Sequence, residues 1–241
     1  MSGRNEAELN DAPIVSDGDE DIAKHPFFKG GTVREYTLGE EIANSITHGI
    51  GAALSIAAIP LCIIASLDSG AGLHLAAALV YSIFMLLEYT MSTLYHAISH
   101  EKAKRVFKVL DHSFIYLFIA ASYSPFCLVT LVDSVGVPLF IFVWVVALAG
   151  VAAESFWVFR PRWISALLYL CLGWAVVAFL PLLYELLAPP AFWLLLAGGL
   201  CYSAGCIFYV LKKVPYMHTV FHVWILAGSV CQFLSIVLYV L

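Results

Sequence analysis

Apolar residues run through this chain in blocks too long for the core of a soluble domain. Windows of about twenty apolar residues bounded by charge, Pro or Gly recur seven times, at 43–67, 73–95, 109–131, 137–158, 163–183, 191–211 and 217–241. Each is long enough for the roughly 30 Å of helix that a bilayer crossing needs. The connections are short, as at 68–72 and 133–136, and in lipid a helix satisfies its backbone polar groups within one segment. The pattern predicts an all-α polytopic membrane protein, a bundle of seven transmembrane helices. Residues 1–40 contain no apolar run and carry scattered Asp, Glu, Gly and Pro, so they bury too little surface to offset the entropy of ordering. They are expected to form a disordered acidic tail, and 41–241 the membrane domain. A secretory signal peptide is not expected, because no apolar segment follows the early basic residues.

Composition agrees: of 241 residues, 62% are hydrophobic and 12% charged, with a mean hydropathy of +0.91, against about 45–50% and 25% in soluble domains. Seven spans leave no room for a separate catalytic head. The formal charge of −5 belongs to the tail, since ten of seventeen acids lie at or before Glu41. All twelve Lys and Arg fall before span one (Arg4, Lys24, Lys29, Arg34), between two and three (Lys102, Lys104, Arg105, Lys108), between four and five (Arg160, Arg162) or between six and seven (Lys212, Lys213). By the positive-inside rule this alternation predicts a cytoplasmic N-terminus and a C-terminus outside.

The six cysteines lie inside predicted spans without CxxC spacing and read as small hydrophobes, so neither a disulfide nor a thiolate metal site is expected. No phosphate-binding loop, nucleophile elbow or basic aromatic patch is present, which sets aside nucleotides and nucleic acid as partners. The halves show no convincing repeat, which weakens a transporter built on inverted repeats. Gly198, Gly199 and Gly205 permit close helix packing without naming a partner or an oligomeric state.

Ionisable residues inside spans are costly and mark function by default. Ser92 and His96 stand four apart near the end of span two, on one helical face, with Glu88 a turn deeper. Span three opens with Asp111 and His112, and span seven with His218 and His222, again four apart. In the predicted topology all these ends face the cytoplasm. At 1.5 Å per residue, His96 lies about 9 Å from Lys102, Asp111 about 4.5 Å from Lys108, and His218 and His222 about 7.5 and 13.5 Å from Lys213. Three imidazoles and a carboxylate at one depth match a Zn²⁺ site with three histidine ligands and an open position. Each piece also has a plainer reading: Asp111 as a helix cap, Ser92 as a packing residue, the histidine pair as interhelical hydrogen bonding. His48 is a candidate fourth ligand or supporting donor, and Glu154 a structural partner of Arg160 or Arg162. Glu88 is either protonated or in contact with water.

At these residues the chain resembles bacterial members of the hemolysin III family, within the progestin and adipoQ receptor superfamily and the wider CREST group that includes alkaline ceramidases. The matching pieces are Glu41 to Gly49, Ser92-Thr93-Leu94-Tyr95-His96, Leu110-Asp111-His112-Ser113, Ala121 to Phe126, and the His218–His222 pair. The resemblance covers residues from about 40 to 241. It implies a bacterial cytoplasmic (inner) membrane protein with zinc held near the cytoplasmic face by His96, His218 and His222. Asp111 would hold the metal water, with Ser92 nearby. The expected function is zinc-dependent hydrolysis of a lipid amide or ester, of ceramidase-like type and linked to membrane lipid homeostasis. Asp111 would be the proton acceptor, Ser92 a hydrogen-bond donor to the developing oxyanion, and a membrane lipid or lipid-derived molecule the substrate. The alternatives are a zinc-stabilised receptor or sensor without catalysis, and a pore-forming cytolysin.

Overall fold

The computed structural model describes residues 35–68, 72–211 and 213–241. The acidic tail expected over 1–40 lies outside them up to residue 34, as do Arg4, Lys24, Lys29, Arg34 and Lys212. The described residues are all-helical, and seven helical spans are long and apolar enough to cross a bilayer. The first four are α1 (Leu38–Asp68), α2 (Gly72–Ala97), α3 (Glu101–Pro125) continued by a π-helical turn (Phe126–Thr130), and α4 (Gly136–Trp157). The fifth is interrupted: α5 (Arg162–Gly173), a 3₁₀ segment (Trp174–Phe179) and α6 (Leu180–Leu186). The last two are α7 (Pro189–Val210) and α8 (Met217–Tyr239).

Sequential spans pack side by side, and the ring closes where α8 packs on α1, while α5 leans on α3 and α7. The first span shows why its residues take these places. Asn44, His48, Gly51, Ser55, Ala58, Cys62 and Ser66 are buried, a three-and-four spacing that keeps small and polar side chains on one helical stripe. At Gly51 an added Cβ would come within 2.4 Å of the Tyr89 ring, so glycine is what lets α1 and α2 approach. The opposite face of α1 exposes Ile42, Ile46, Ile50, Leu54, Leu61 and Ile64, apolar surface whose partner is lipid.

Helices α1 and α3 begin earlier than hydropathy predicts. Thr37 and Glu40 form a capping box, with Thr37 N–H donating to Glu40 Oε2 at 2.9 Å and Glu40 N–H to Thr37 Oγ1 at 3.3 Å. Helix α3 starts at Glu101, so Lys102, Lys104, Arg105 and Lys108 lie on the helix and not in the connection to which their charge assigned them. Lys104 and Lys108 are buried: Lys104 is ion-paired to Glu41 at 2.9 Å and Lys108 to Glu35. Hydropathy discards such charged turns, whereas paired side chains remain helical.

A hydroxyl holds the break in the fifth span. Tyr123 Oη donates to the carbonyls of Leu172 and Gly173, at 2.9 and 2.6 Å, and accepts from Val176 N–H at 3.1 Å. Irregular backbone at membrane depth is tolerated where protein or a cavity supplies such partners. All six cysteines are free.

Candidate metal centre

Two spans, α2 and α8, bring His96, His218 and His222 together. One ring nitrogen from each lies within 4.8 Å of the other two, and all three side chains are buried. His218 and His222 share a face because they are one helical turn apart, and their Nε2 atoms are 3.1 Å from each other. That is close to the edge of about 3.3 Å expected between ligands of a tetrahedral zinc with Zn–N bonds of about 2.0–2.1 Å.

The partners of the other ring nitrogens select the tautomers. His222 Nδ1 lies 3.2 Å from the Asn44 carbonyl and 3.1 Å from Thr47 Oγ1. That hydroxyl gives its own proton to the carbonyls of Ala43 and Asn44, so Nδ1 carries the hydrogen and Nε2 presents a lone pair. His96 Nδ1 lies 2.7 Å from Glu41 Oε2, and its buried Nε2 has no hydrogen-bond partner. Ligating histidines characteristically carry a carboxylate or carbonyl on the far nitrogen. The donor set therefore fits a cation: buried nitrogens converge, and outer groups turn the lone pairs of His96 and His222 inward, while His218 Nδ1 has no hydrogen-bond partner.

Asp111 stands outside the histidine triangle but lines the same cavity, as does Ser92. Glu88 is buried a turn below, with Oε2 lacking a hydrogen-bond partner. His48 makes no hydrogen bond to a ligand ring. It stacks on His222 with centroids 3.5 Å apart and planes at 18°, and neither of its ring nitrogens has a partner. His112 belongs to a different cluster, with Nδ1 3.6 Å from Glu154 Oε2. Glu154 pairs with Arg160, while Arg162 pairs with Glu35 at 2.7 Å. Of the two partners open to Glu154 from sequence, Arg160 is the one that the bend after α4 brings alongside.

Spacing alone carried a signal for the supporting residues. Glu41, Asn44 and His48 follow one another by three and four residues, a polar stripe on the stretch of α1 that faces the histidines. Glu35 and Tyr36, assigned to the tail by composition, are packed into the mouth of the site: Tyr36 stacks on His218 at 4.9 Å.

The site opens into a cavity of about 660 Å³. Its upper wall includes His48, Ser92, Asp111, His218 and His222; its lower wall is formed by residues such as Phe118, Phe126, Leu131, Leu180 and Leu195. From Asp111 to Tyr123, both lining residues, α3 rises about 18 Å.

Comparison with known proteins now bears on this arrangement. The sequence model of the "Haemolysin-III related" family matches residues 36–233. The chain belongs to that family. It is 44% identical over 202 residues to "Hemolysin-3" of Bacillus cereus, covering 84% of this chain and 92% of that protein. It is 40% identical over 204 residues to "Hemolysin-3 homolog" of Bacillus subtilis (strain 168), covering 85% and 96%. A more distant likeness, 23% over 165 residues, links it to the human "Monocyte to macrophage differentiation factor", covering 66% of this chain and 68% of the relative. This haemolysin-III related protein is a multi-pass protein of a bacterial cytoplasmic membrane, given its seven spans and its bacterial relatives. The family match includes all three histidines and Tyr36 at the mouth of the site.

Proposed function

We propose that this haemolysin-III related protein is a zinc-dependent hydrolase of lipid amides or esters, working at the end of the bundle that carries its basic residues. The observation that carries the reading is the convergence of His96, His218 and His222 at the head of a cavity whose lower part is apolar. His96, His218 and His222 would hold the ion, with outer partners setting the tautomer of His96 and His222. When bound, zinc supplies a Lewis acid for a carbonyl and lowers the pKa of a water toward about 7.

The chain's own groups perform the rest. Asp111, in the wall of the same cavity, accepts the proton of the attacking water as a general base. Ser92, which lines the same cavity, can turn its hydrogen toward an oxyanion forming at the substrate carbonyl. The apolar lower wall takes the acyl chain and holds the carbonyl at the depth of the histidines, so that reacting groups meet in fixed geometry.

The open ligand position supports catalysis over a purely structural zinc. A receptor or sensor held together by zinc would favour a closed four-ligand shell, and the nearest additional histidine, His48, is stacked face to face on His222. The test is metal content per chain for wild type and for His218→Ala/His222→Ala, followed by lipid amide and ester hydrolysis on the same samples. About one zinc per wild-type chain, lost in the double variant, with turnover abolished by Asp111→Ala, is the expected result. Zinc without turnover above the Asp111→Ala control would sink the hydrolase. A folded, metal-free wild type would reduce the site to an interhelical histidine cluster.

A further inference from the structure

Lys108 of α3 and Arg162 at the start of α5 converge on one carboxylate, that of Glu35, in the segment preceding α1. Arg162 also donates to the Tyr36 hydroxyl at 2.6 Å and to the Tyr209 carbonyl at 3.4 Å. Tyr36 in turn covers His218, and its ring centroid lies 5.6 Å from that of His96. Glu35, Tyr36, Lys108 and Arg162 all line the cavity. The strap thus closes the approach to the histidines, and its anchor is a carboxylate seated between two cations. Burial alone would raise the Glu35 pKa, but Lys108 and Arg162 outweigh it and hold the carboxyl at about 2, so the anchor is ionised at neutral pH.

We propose that Lys108 and Arg162 form a recognition site for the acidic head of a single-chain amphiphile, and that Glu35 occupies this site as a built-in substitute until such a ligand displaces the strap. The proposal rests on reading the cavity as a lipid chamber. Any molecule that reaches the histidines from this end must move Glu35 and Tyr36. Moving them withdraws the bridging carboxylate from two largely buried cations. An entrant with a neutral head leaves those cations uncompensated in a low-dielectric mouth, which is costly. An entrant with a phosphate or carboxylate head restores the charge and the oriented donors of the guanidinium and ammonium groups. The exchange is balanced only for an anion. Below the mouth the apolar wall formed by Ile115, Phe118, Phe126, Leu131, Leu180 and Leu195 accepts a tail, so head and tail are read by separate parts of one cavity.

The full chain, purified in a neutral maltoside detergent, can be titrated with dodecyl phosphate, dodecanol or inorganic phosphate and followed by native mass spectrometry. Zinc content and melting temperature are recorded on every sample. Dodecyl phosphate is expected to bind at least about tenfold more tightly than either other probe, a difference of about one decade in Kd. Glu35→Gln should tighten it further by removing the internal competitor, while keeping the zinc content of wild type. Lys108→Gln/Arg162→Gln should abolish binding. Should that double variant fail to fold, Arg162→Lys, which keeps the charge and loses the fork, is expected to bind several-fold more weakly.

Equal binding of dodecanol would overturn head recognition, and equal binding of inorganic phosphate would overturn the amphiphile. An unchanged or weakened affinity in Glu35→Gln would overturn the built-in substitute. Dodecyl phosphate binding in a protein without zinc would leave this proposal standing and remove the hydrolase, whereas zinc-dependent turnover without selective binding would do the reverse.

Discussion

Glu41 does for His96 what the Asn44 carbonyl does for His222: it accepts from Nδ1 and leaves Nε2 facing the other histidines. Because Glu41 is also tied to Lys104 at 2.9 Å, its oxygen is fixed in place and so is the ring. Glu41→Gln keeps the shape but weakens this orientation, and zinc affinity measured by competition with a chelator is expected to fall about 10–100-fold, the usual cost of losing such a partner. An unchanged affinity would mean that packing alone orients His96. Glu35 has a pH signature of its own. Its folded pKa of about 2 lies below the ordinary value of 4.5, so its stabilising contribution is complete above about pH 4.5 and is lost as the pH falls toward 2. The difference in melting temperature between wild type and Glu35→Gln should therefore shrink across that window. A difference that is constant with pH would count against the Lys108–Glu35–Arg162 bridge.

At the scale of elements, the fifth span departs most from a simple helix. Hydropathy over 163–183 gives a continuous span, but the chain leaves α-helical geometry at Trp174. The freed backbone groups find the Tyr123 hydroxyl, and Gly173, Trp174 and Val176 line the cavity wall. The break thus lets the fifth span contribute to the chamber without leaving buried polar groups unmet. Tyr123→Phe removes the hydroxyl and keeps the ring. It should destabilise the protein by about 1–3 kcal/mol, the cost of leaving buried polar backbone groups without a partner, read as a lower melting temperature in detergent. No change would assign the break to local sequence preference alone. The same reasoning explains the misplaced start of α3, where buried Lys104 and Lys108 lie on a helix because Glu41 and Glu35 meet them from outside it.

For the whole molecule, the ring of spans gathers the described basic residues and the histidine triangle at one end, and the apolar part of the cavity runs toward the other. The basic loops predict that this end faces the cytoplasm. A C-terminal alkaline phosphatase fusion should accordingly be active and a C-terminal green fluorescent protein fusion dark. The opposite pattern would invert the molecule and place the histidine triangle toward the outer surface. The ring also joins charges that no single helix could accommodate. Glu154 of α4 meets Arg160 beyond its end, with His112 of α3 and the Tyr169 hydroxyl of α5 beside it. This second polar cluster ties three spans together on the side of the bundle away from α1.

Span number, helical class and the three convergent histidines were legible in the sequence, because each depends on local periodicity: twenty apolar residues make a crossing, and a four-residue spacing puts two side chains on one face. The polar stripe of Glu41, Asn44 and His48 was legible on the same grounds, although its roles were not. Those roles were decided by tertiary structure. Whether His48 ligates or stacks depends on how closely α1 approaches α8, and the choice of Arg160 over Arg162 by Glu154 depends on the turn between α4 and α5. The insertion of Glu35 and Tyr36 into the mouth depends on two cations contributed by helices more than seventy residues away along the chain. Composition assigns such residues to solvent because it counts their charge, while the folded molecule keeps them because it supplies the partners.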